Sequence, residues 1–99
     1  MFGKLLEAKK QAEEIKSKLS ALKVTGMDGQ GRVKIRIDGN KKIDAVELDE
    51  QMLKPEFKAE LEECILKALE DAMQQADNIS QAEMRHLLGN LPGLGNILK

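Results

Sequence analysis

Apolar residues recur at helical spacing along the first part of the chain. The stripe consists of Leu5, Ala8, Ala12, Ile15, Leu19 and Leu22, separated alternately by three and four residues. This heptad spacing predicts a helix over residues 3–23 with one buried stripe. Lysines flank the stripe or lie on the opposite face, so the other faces of this helix are predicted to be solvated.

The pattern then changes to a period of two residues. Val33, Ile35 and Ile37 alternate with charged residues, which predicts a strand with one apolar and one charged face. A short strand at Lys23–Thr25 precedes it. A third strand is predicted at about 42–49, where the apolar residues change phase between Ala45 and Val46, and a β-bulge is therefore expected there.

A second helical stripe occupies the last part of the chain. Its members are Phe57, Leu61, Ile65, Ala68, Ala72, Ala76 and Ile79. Pro55 suits the first turn of this helix, and the pattern extends to Leu88, with a weak point at residues 77–80 and Gly89 as a C-cap. The predicted order is therefore α-β-β-β-α, an α+β fold in which two helices flank a small antiparallel three-stranded meander.

Four glycines lie in the stretch VTGMDGQGRVKIRIDG, residues 24–39. Glycine-rich loops that bind phosphate follow a strand and open a helix, whose N-terminus holds the anion. Here the spacing is G-x-x-G-x-G and a strand follows. The spacing therefore favours a hairpin loop over a phosphate cradle, and Asp38-Gly39-Asn40 is predicted to form a second turn because Gly and Asn tolerate positive φ.

Ninety-nine residues, 33% of them charged, are typical of one soluble globular domain. The only cysteine, Cys64, excludes an internal disulfide, and no apolar run approaches the roughly 20 residues that cross a bilayer. We therefore expect a cytoplasmic protein without a membrane partner. Charge is uneven, because residues 1–23 carry +3 and residues 48–99 carry −5. Residues 1–88 are predicted to form one domain and residues 89–99 a flexible tail.

Few residues suit catalysis or metal binding. His86 is the only histidine, and Cys64 lies within an apolar stripe, where a buried inert thiol is the favoured interpretation. The carboxylates of the last helix lack a histidine or a ligand loop and read as a solvated face. We predict no enzymatic activity, catalytic residue, metal, cofactor or small-molecule substrate.

The remaining candidates for a functional site are basic residues. The predicted DNA contacts are Lys9, Lys10, Lys16, Lys18, Lys23, Arg32, Lys34 and Arg36, from the first helix and the outer face of the second strand. A spread Lys and Arg surface is what phosphate neutralisation requires, but ordinary solubilising charge explains the same composition. Phe2 and Phe57 are the only aromatic residues, which argues against a single-strand binder built on base stacking.

Three segments in order resemble the YbaB/EbfC family of bacterial nucleoid-associated proteins. They are VTGMDGQGRVKIRIDG, AVELDEQML and LEECILKALEDAMQQA, and the opening MFGK is also common in that family. The resemblance covers about residues 1–80. It implies a homodimer with a tweezer-like shape that binds double-stranded DNA in the nucleoid and influences transcription.

The resemblance transfers the lysines of the first helix as DNA contacts, namely Lys9, Lys10, Lys16, Lys18 and Lys23. Arg32, Lys34 and Arg36 are candidates from strand geometry alone. The last helix is acidic, so the carboxylates Glu60, Glu62, Glu63, Glu70 and Asp71 are expected to point away from DNA. An alternative function is a protein-interaction module that uses this acidic helix and the apolar tail.

Overall fold

A computed structural model describes residues 2–89, without the side chains of Phe2 and Leu88. Its elements are α1 (Phe2–Ala21), β1 (Lys23–Met27), β2 (Val33–Asp38), β3 (Ile43–Leu48) and α2 (Lys58–Gly89), with short 3-10 turns at Glu50–Met52 and Pro55–Phe57 before α2. The predicted α-β-β-β-α order is confirmed. Except for Gly89, the predicted tail lies outside the described residues.

The three strands form one antiparallel sheet in the order β1-β2-β3. Arg36 is opposite Ala45 and Ile37 is opposite Ile43, so Asp44 is the extra residue of a bulge in β3. A bulge in β3 is thereby confirmed, but it lies at Asp44 and not at the predicted change of phase between Ala45 and Val46. Residues directly opposite each other share a face of the sheet. The apolar side chains of β2 therefore share the side on which α2 lies with Ile43, Val46 and Leu48 of β3, whereas Ala45 faces the other side with Arg36.

The core lies between α2 and the first two strands. Small buried residues recur every four positions along the helix, at Cys64, Ala68, Ala72 and Ala76. They face Val33, Ile35 and Ile37 of β2, which are also buried. The spacing places the small residues on one helix face, and their small volume lets the helix approach the sheet closely.

Gly26 marks the closest approach of the helix to the sheet. A Cβ atom at this position would collide with the carbonyl oxygen of Ala68 and the backbone nitrogen of Ala72. Gly26 is a buried residue of β1, opposite Ile35, and the strand continues to Met27. The prediction that β1 ends at Thr25 and that Gly26 belongs to the loop is therefore wrong. Backbone proximity, rather than turning, is what requires glycine here.

The loops between β1 and β2 and between β2 and β3 both contain a residue with positive φ, but in the second loop it is not the predicted residue. The first loop bends at Gly31, whose φ is +70°, and Gly31 N–H donates to the Asp28 carbonyl at 3.0 Å. In the second turn the positive φ belongs to Lys41, at +68°, and not to Gly39 or Asn40. Gly39 lies against Leu19, where a Cβ would come within 2.9 Å of the carbonyl oxygen. Its missing side chain makes room for the end of α1.

The outer edge of β1 is covered by side chains of α2. Met27 N–H donates to Asp71 Oδ2 at 3.0 Å, and Gln75 Nε2 donates to the Thr25 carbonyl at 2.9 Å. These bonds fix the helix above β1 and β2, so β3 lies beside it and not beneath it. Neither described helix is long and apolar enough to cross a membrane.

Candidate nucleic-acid interface

The helix α1 is anchored at its C-terminal end by the turn between β2 and β3. Gly39 N–H donates to the Leu19 carbonyl at 2.8 Å, and Asn40 Nδ2 donates to the Lys16 carbonyl at 2.9 Å. The last four carbonyls of a helix lack an N–H partner four residues on, so the Gly39 bond satisfies one of them, and the Asn40 bond holds the preceding turn of α1. Leu19 is buried at this anchor, and Ile15 and Leu22 are partly buried.

The N-terminal half of α1 has little contact with the rest of the protein. Leu5 is 70% exposed, and Ala8 and Ala12 are also exposed. The predicted buried stripe is therefore confirmed only over residues 15–22. The rest of α1 extends along a molecule whose dimensions are 62 × 27 × 16 Å. An exposed helix fixed at one end can present its side chains to a large partner.

Three of the predicted lysines on α1 are available for contacts. Lys9, Lys10 and Lys16 are exposed and form no ion pair with any other residue that the structure describes. Lys18 Nζ lies 3.7 Å from Glu83 Oε2 of α2. Lys23 belongs to β1, and its Nζ lies 3.4 Å from Asp44 Oδ2. Of these three lysines, Lys9 and Lys10 lie on the N-terminal side of the anchor, and Lys16 lies beside it.

Two predicted residues lie on the outer face of the sheet, opposite α2. Arg36 Nε lies 3.1 Å from Asp44 Oδ2, and the positive charges of Arg36 and Lys23 lower the pKa of that carboxyl. Lys34 is exposed opposite Glu47 and has no ion pair within residues 2–89. On this face one acid, Asp44, is shared by Arg36 and Lys23, and Glu47 stands opposite Lys34.

Arg32 does not lie on the outer face of β2 as the alternation predicted. It lies in the bend before β2, and its guanidinium turns toward α2. Its Nη1 is 2.7 Å from Glu60 Oε1, its Nε is 3.4 Å from Asp28 Oδ2, and its Nη2 is 3.3 Å from Cys64 Sγ. These contacts join the glycine loop to the start of α2. The geometry gives Arg32 a structural role, because its donors are already used.

Asp28 is the buried centre of the glycine loop. Its Oδ1 accepts the Val33 N–H at 2.9 Å, and that bond is the largest cause that lowers its pKa to about 2. Burial raises the pKa of the neighbouring Cys64 thiol. A protonated buried thiol agrees with the inert role predicted for Cys64. Sequence reasoning missed Asp28, although an acid between glycines in a hairpin loop is a signal for such a role.

Most acids of α2 are engaged within the protein. Glu60, Asp77 and Glu83 pair with Arg32, Lys41 and Lys18, and Asp71 accepts a backbone N–H of β1. The exposed members that form no ion pair among the described residues are Glu62, Glu63 and Glu70. His86 is exposed near the end of α2. Residues 2–89 contain no cluster of histidine, cysteine and carboxylate that could hold a metal ion.

Apolar side chains remain exposed on the helix-facing side of β3 and on one flank of α2, and we call this set the apolar trough. We define it by Ile43 and Val46 of β3 and Leu66, Leu69 and Met73 of α2. Ile43 and Val46 are opposite the buried Ile37 and Ile35, so they face the helix side, yet they remain 50% and 55% exposed. Leu66 is 58% exposed, while Leu69 and Met73 are partly buried. Large apolar patches of this kind are typical of interfaces.

Sequence comparison finds bacterial nucleoid-associated proteins that are similar to this chain over nearly its whole length. A nucleoid-associated protein of Rhodopseudomonas palustris (strain BisA53) is 32% identical over 98 residues, covering 96% of this chain and 93% of that protein. A nucleoid-associated protein of Prochlorococcus marinus (strain NATL1A) is 35% identical over 105 residues, covering 95% and 90%.

Structural comparison gives the same fold. The crystal structure of an uncharacterized protein from Helicobacter pylori matches with a TM-score of 0.75 at 22% identity, covering 88% of this chain and 92% of that one. In the scan against families, residues 1–91 match the YbaB/EbfC DNA-binding family. The match spans both helices and the sheet, and the chain therefore belongs to the YbaB/EbfC DNA-binding family.

Proposed function

We propose that this protein is a nucleoid-associated protein that binds double-stranded DNA as a homodimer, mainly through phosphate contacts. The observation that carries the proposal is α1, whose exposed lysines Lys9, Lys10 and Lys16 form no ion pair with the described residues. Membership of a DNA-binding family and the names of its bacterial relatives support the same function. The corresponding location is the nucleoid within the cytoplasm, and an effect on transcription follows from occupancy of DNA.

Lys9, Lys10 and Lys16 are the proposed principal contacts. Lys9 and Lys16 are seven residues apart, so they lie on the same flank of α1, about 10 Å apart along its axis. Lys10 is adjacent on the outer face. Each lysine that reaches a phosphate releases counterions from DNA and adds to the salt dependence of binding. No base contact is needed for this mode, so binding is expected to tolerate changes of sequence.

The other predicted residues are proposed as weaker contributors, in an order set by their ion pairs. Lys34 is free of ion pairs with the described residues but stands opposite Glu47. Lys18, Lys23 and Arg36 must give up, or share, a carboxylate in order to contact phosphate. Arg32 must give up most of its donors, and we expect it to act through the fold.

The apolar trough is the proposed dimer interface. Its residues combine the uncovered side of β3 with one flank of α2, so a second copy placed on it by a twofold axis would cover both. Burying exposed apolar side chains is the main favourable contribution to association. Dimerisation also doubles the number of basic helices available to one duplex, which raises affinity through multivalency.

A DNA titration at two salt concentrations tests the binding proposal. We expect the logarithm of affinity to fall with the logarithm of salt concentration, with a slope of about −0.9 per phosphate contact. Replacing Lys9, Lys10 and Lys16 by alanine should weaken binding to all duplexes alike and make that slope shallower. The matched control replaces Lys54, Lys58 and Lys67 by alanine. It removes the same number of positive charges, but at positions far from α1. Equal loss in both variants would contradict the proposed site, and no binding at low salt with micromolar protein would overturn the function.

Sedimentation at tens of micromolar tests the dimer. Val46→Glu or Leu66→Glu places a charge in the apolar trough and should shift the protein to monomer. Met27→Glu is the control, because Met27 is also exposed but lies on the opposite face of the sheet, across from Lys34. A monomeric wild-type protein, or a dimer that survives both trough substitutions, would overturn this interface.

A further inference from the structure

The apolar stripe of α1 continues beyond the point where α2 can cover it. Ile15, Leu19 and Leu22 are buried or partly buried, whereas Leu5 and Leu6 are 70% and 63% exposed. A helical segment of this length without tertiary contacts is only marginally stable in water. Within residues 2–89, nothing covers the apolar stripe on the first half of α1.

The packing of α1 against α2 indicates which part of the chain would lie beside the uncovered stripe. Lys18 of α1 pairs with Glu83 of α2, and the groove between the helices is lined by Glu14 and Ile15 on one side and His86 and Leu87 on the other. Residue numbers thus fall along α1 as they rise along α2, which is an antiparallel arrangement. Both helices rise about 1.5 Å per residue. Gly89 is then level with Ala12, and chain that continued alongside α1 would be level with Ala8 and Leu5 within seven residues.

Residues 90–99 supply that continuation, and they lie outside the described residues. Their apolar members are Leu91, Leu94, Ile97 and Leu98, and Lys99 carries their only charged side chain. Because the segment is tethered to the end of α2, its effective concentration at the uncovered stripe is high. Ten residues are enough to reach the level of Leu5, whether the segment runs along α1 as a helix or as extended chain.

A second copy of α1 fits this stripe poorly because of charge. Lys4, Lys9, Lys16 and Lys18 occupy the positions that flank the stripe. Pairing two such helices, parallel or antiparallel, would place lysines against lysines at the positions where coiled coils use opposite charges. An apolar segment whose only charge is at its last residue meets no such repulsion.

We propose that residues 91–98 pack on the exposed stripe of α1 formed by Leu5, Ala8 and Ala12 in the same chain. The segment extends the antiparallel pairing of α1 with α2 past Gly89. Lys10 lies on the outer face of α1, so the contact leaves it exposed. The inference goes beyond DNA binding, because it assigns a role to a segment of which only residue 91 falls within the family match at residues 1–91.

Disulfide trapping in the full chain tests this contact. The native Cys64 is only 3% exposed, so an engineered pair Ala8→Cys and Leu94→Cys supplies the accessible thiols. We expect an intrachain disulfide to form at least five times faster than in the control pair Lys10→Cys and Leu94→Cys, whose first thiol lies on the outer face. Equal rates, or a disulfide that joins two chains, would overturn the proposal.

Hydrogen exchange gives a second readout that does not involve DNA. A chain that ends at Gly89 should exchange the backbone amides of residues 4–13 several times faster than the full chain, while the core strands stay unchanged. Equal protection in the two chains would contradict the proposed packing. Neither readout changes if the protein fails to bind DNA, so this inference and the proposed function can fail separately.

Discussion

The middle of α2 and the first half of α1 are both helical, but the first is buried against the sheet and the second is exposed to solvent. Ala68, Ala72 and Ala76 have no exposed surface, whereas Leu5 is 70% exposed. Small residues let α2 lie close to the sheet, where many atoms come into contact. Long charged side chains on α1 remain in solvent. Stability and ligand contact are thus assigned to different regions, and substitutions in the two regions should have separable effects.

The largest effect on the free energy of unfolding is expected from a substitution where α2 packs against the sheet. Gly26→Val should lower the free energy of unfolding by about 3 kcal/mol or more, because the new side chain collides with the backbone of Ala68 and Ala72, which cannot move independently of the helix. Chemical denaturation followed by circular dichroism measures the change. Gly29→Ala is the control, since a Cβ there meets nothing within 4 Å, and its effect should stay within about 0.5 kcal/mol. A Gly26 variant as stable as the control would show that α2 packs differently.

An intermediate effect on the free energy of unfolding is expected from replacing Asp28, which lies at the border of the core. Its pKa of about 2 in the folded state lies below that of an unfolded aspartate, so the folded state favours the carboxylate. The Asp28 carboxylate therefore stabilises the folded state above about pH 4, and this contribution is lost as the pH falls toward 2.

The difference in unfolding free energy between wild type and Asp28→Asn isolates this contribution. We expect it to be largest near neutral pH and to shrink as the pH approaches 2, because the wild-type carboxylate then becomes protonated. Asp44→Asn is a useful comparison, since that carboxyl also has a lowered pKa but lies on the outer face of the sheet. A pH-independent difference for Asp28 would refute its role as a buried hydrogen-bond acceptor.

The smallest effect on the free energy of unfolding is expected from the exposed lysines of α1. Replacing Lys9, Lys10 or Lys16 by alanine should change the free energy of unfolding by less than about 0.5 kcal/mol each, because the side chains are exposed and alanine favours the helix. Thermal denaturation checks this, on the same triple variant that is expected to lose DNA affinity. If stability fell together with affinity, the separation of the two regions would not hold.

Most of the element order could be predicted from periodicity. The change from a helical to a two-residue repeat after residue 23, and back again near Pro55, reflects the geometry of helix and strand directly. The presence of a bulge in β3 was predictable for the same reason, because the apolar residues change phase there, but the structure places it at Asp44, before Ala45 and Val46. Boundaries were less accurate at Gly26, since a glycine in a strand and a glycine in a turn look the same in one sequence.

The candidate site was only partly predictable. The eight basic residues are visible in the sequence, but their partners are distant along the chain: Glu60 lies 28 residues beyond Arg32, and Glu83 lies 65 residues beyond Lys18. Alternation placed Arg32 on the charged face of a strand, whereas the loop conformation turns it toward Cys64 and Asp28. Which cations remain free depends on contacts that no local pattern contains.

The sequence by itself determined the helices, the strands, their order and the basic character of α1, because these depend on side-chain spacing and composition. Only the tertiary structure decided that Gly26 serves the approach of α2, that Arg32 closes a loop, and that half of the stripe on α1 is left uncovered. The reason is that close packing and ion pairing join residues far apart in the chain. The opening that α2 leaves over β3 likewise arises from where the helix crosses the sheet.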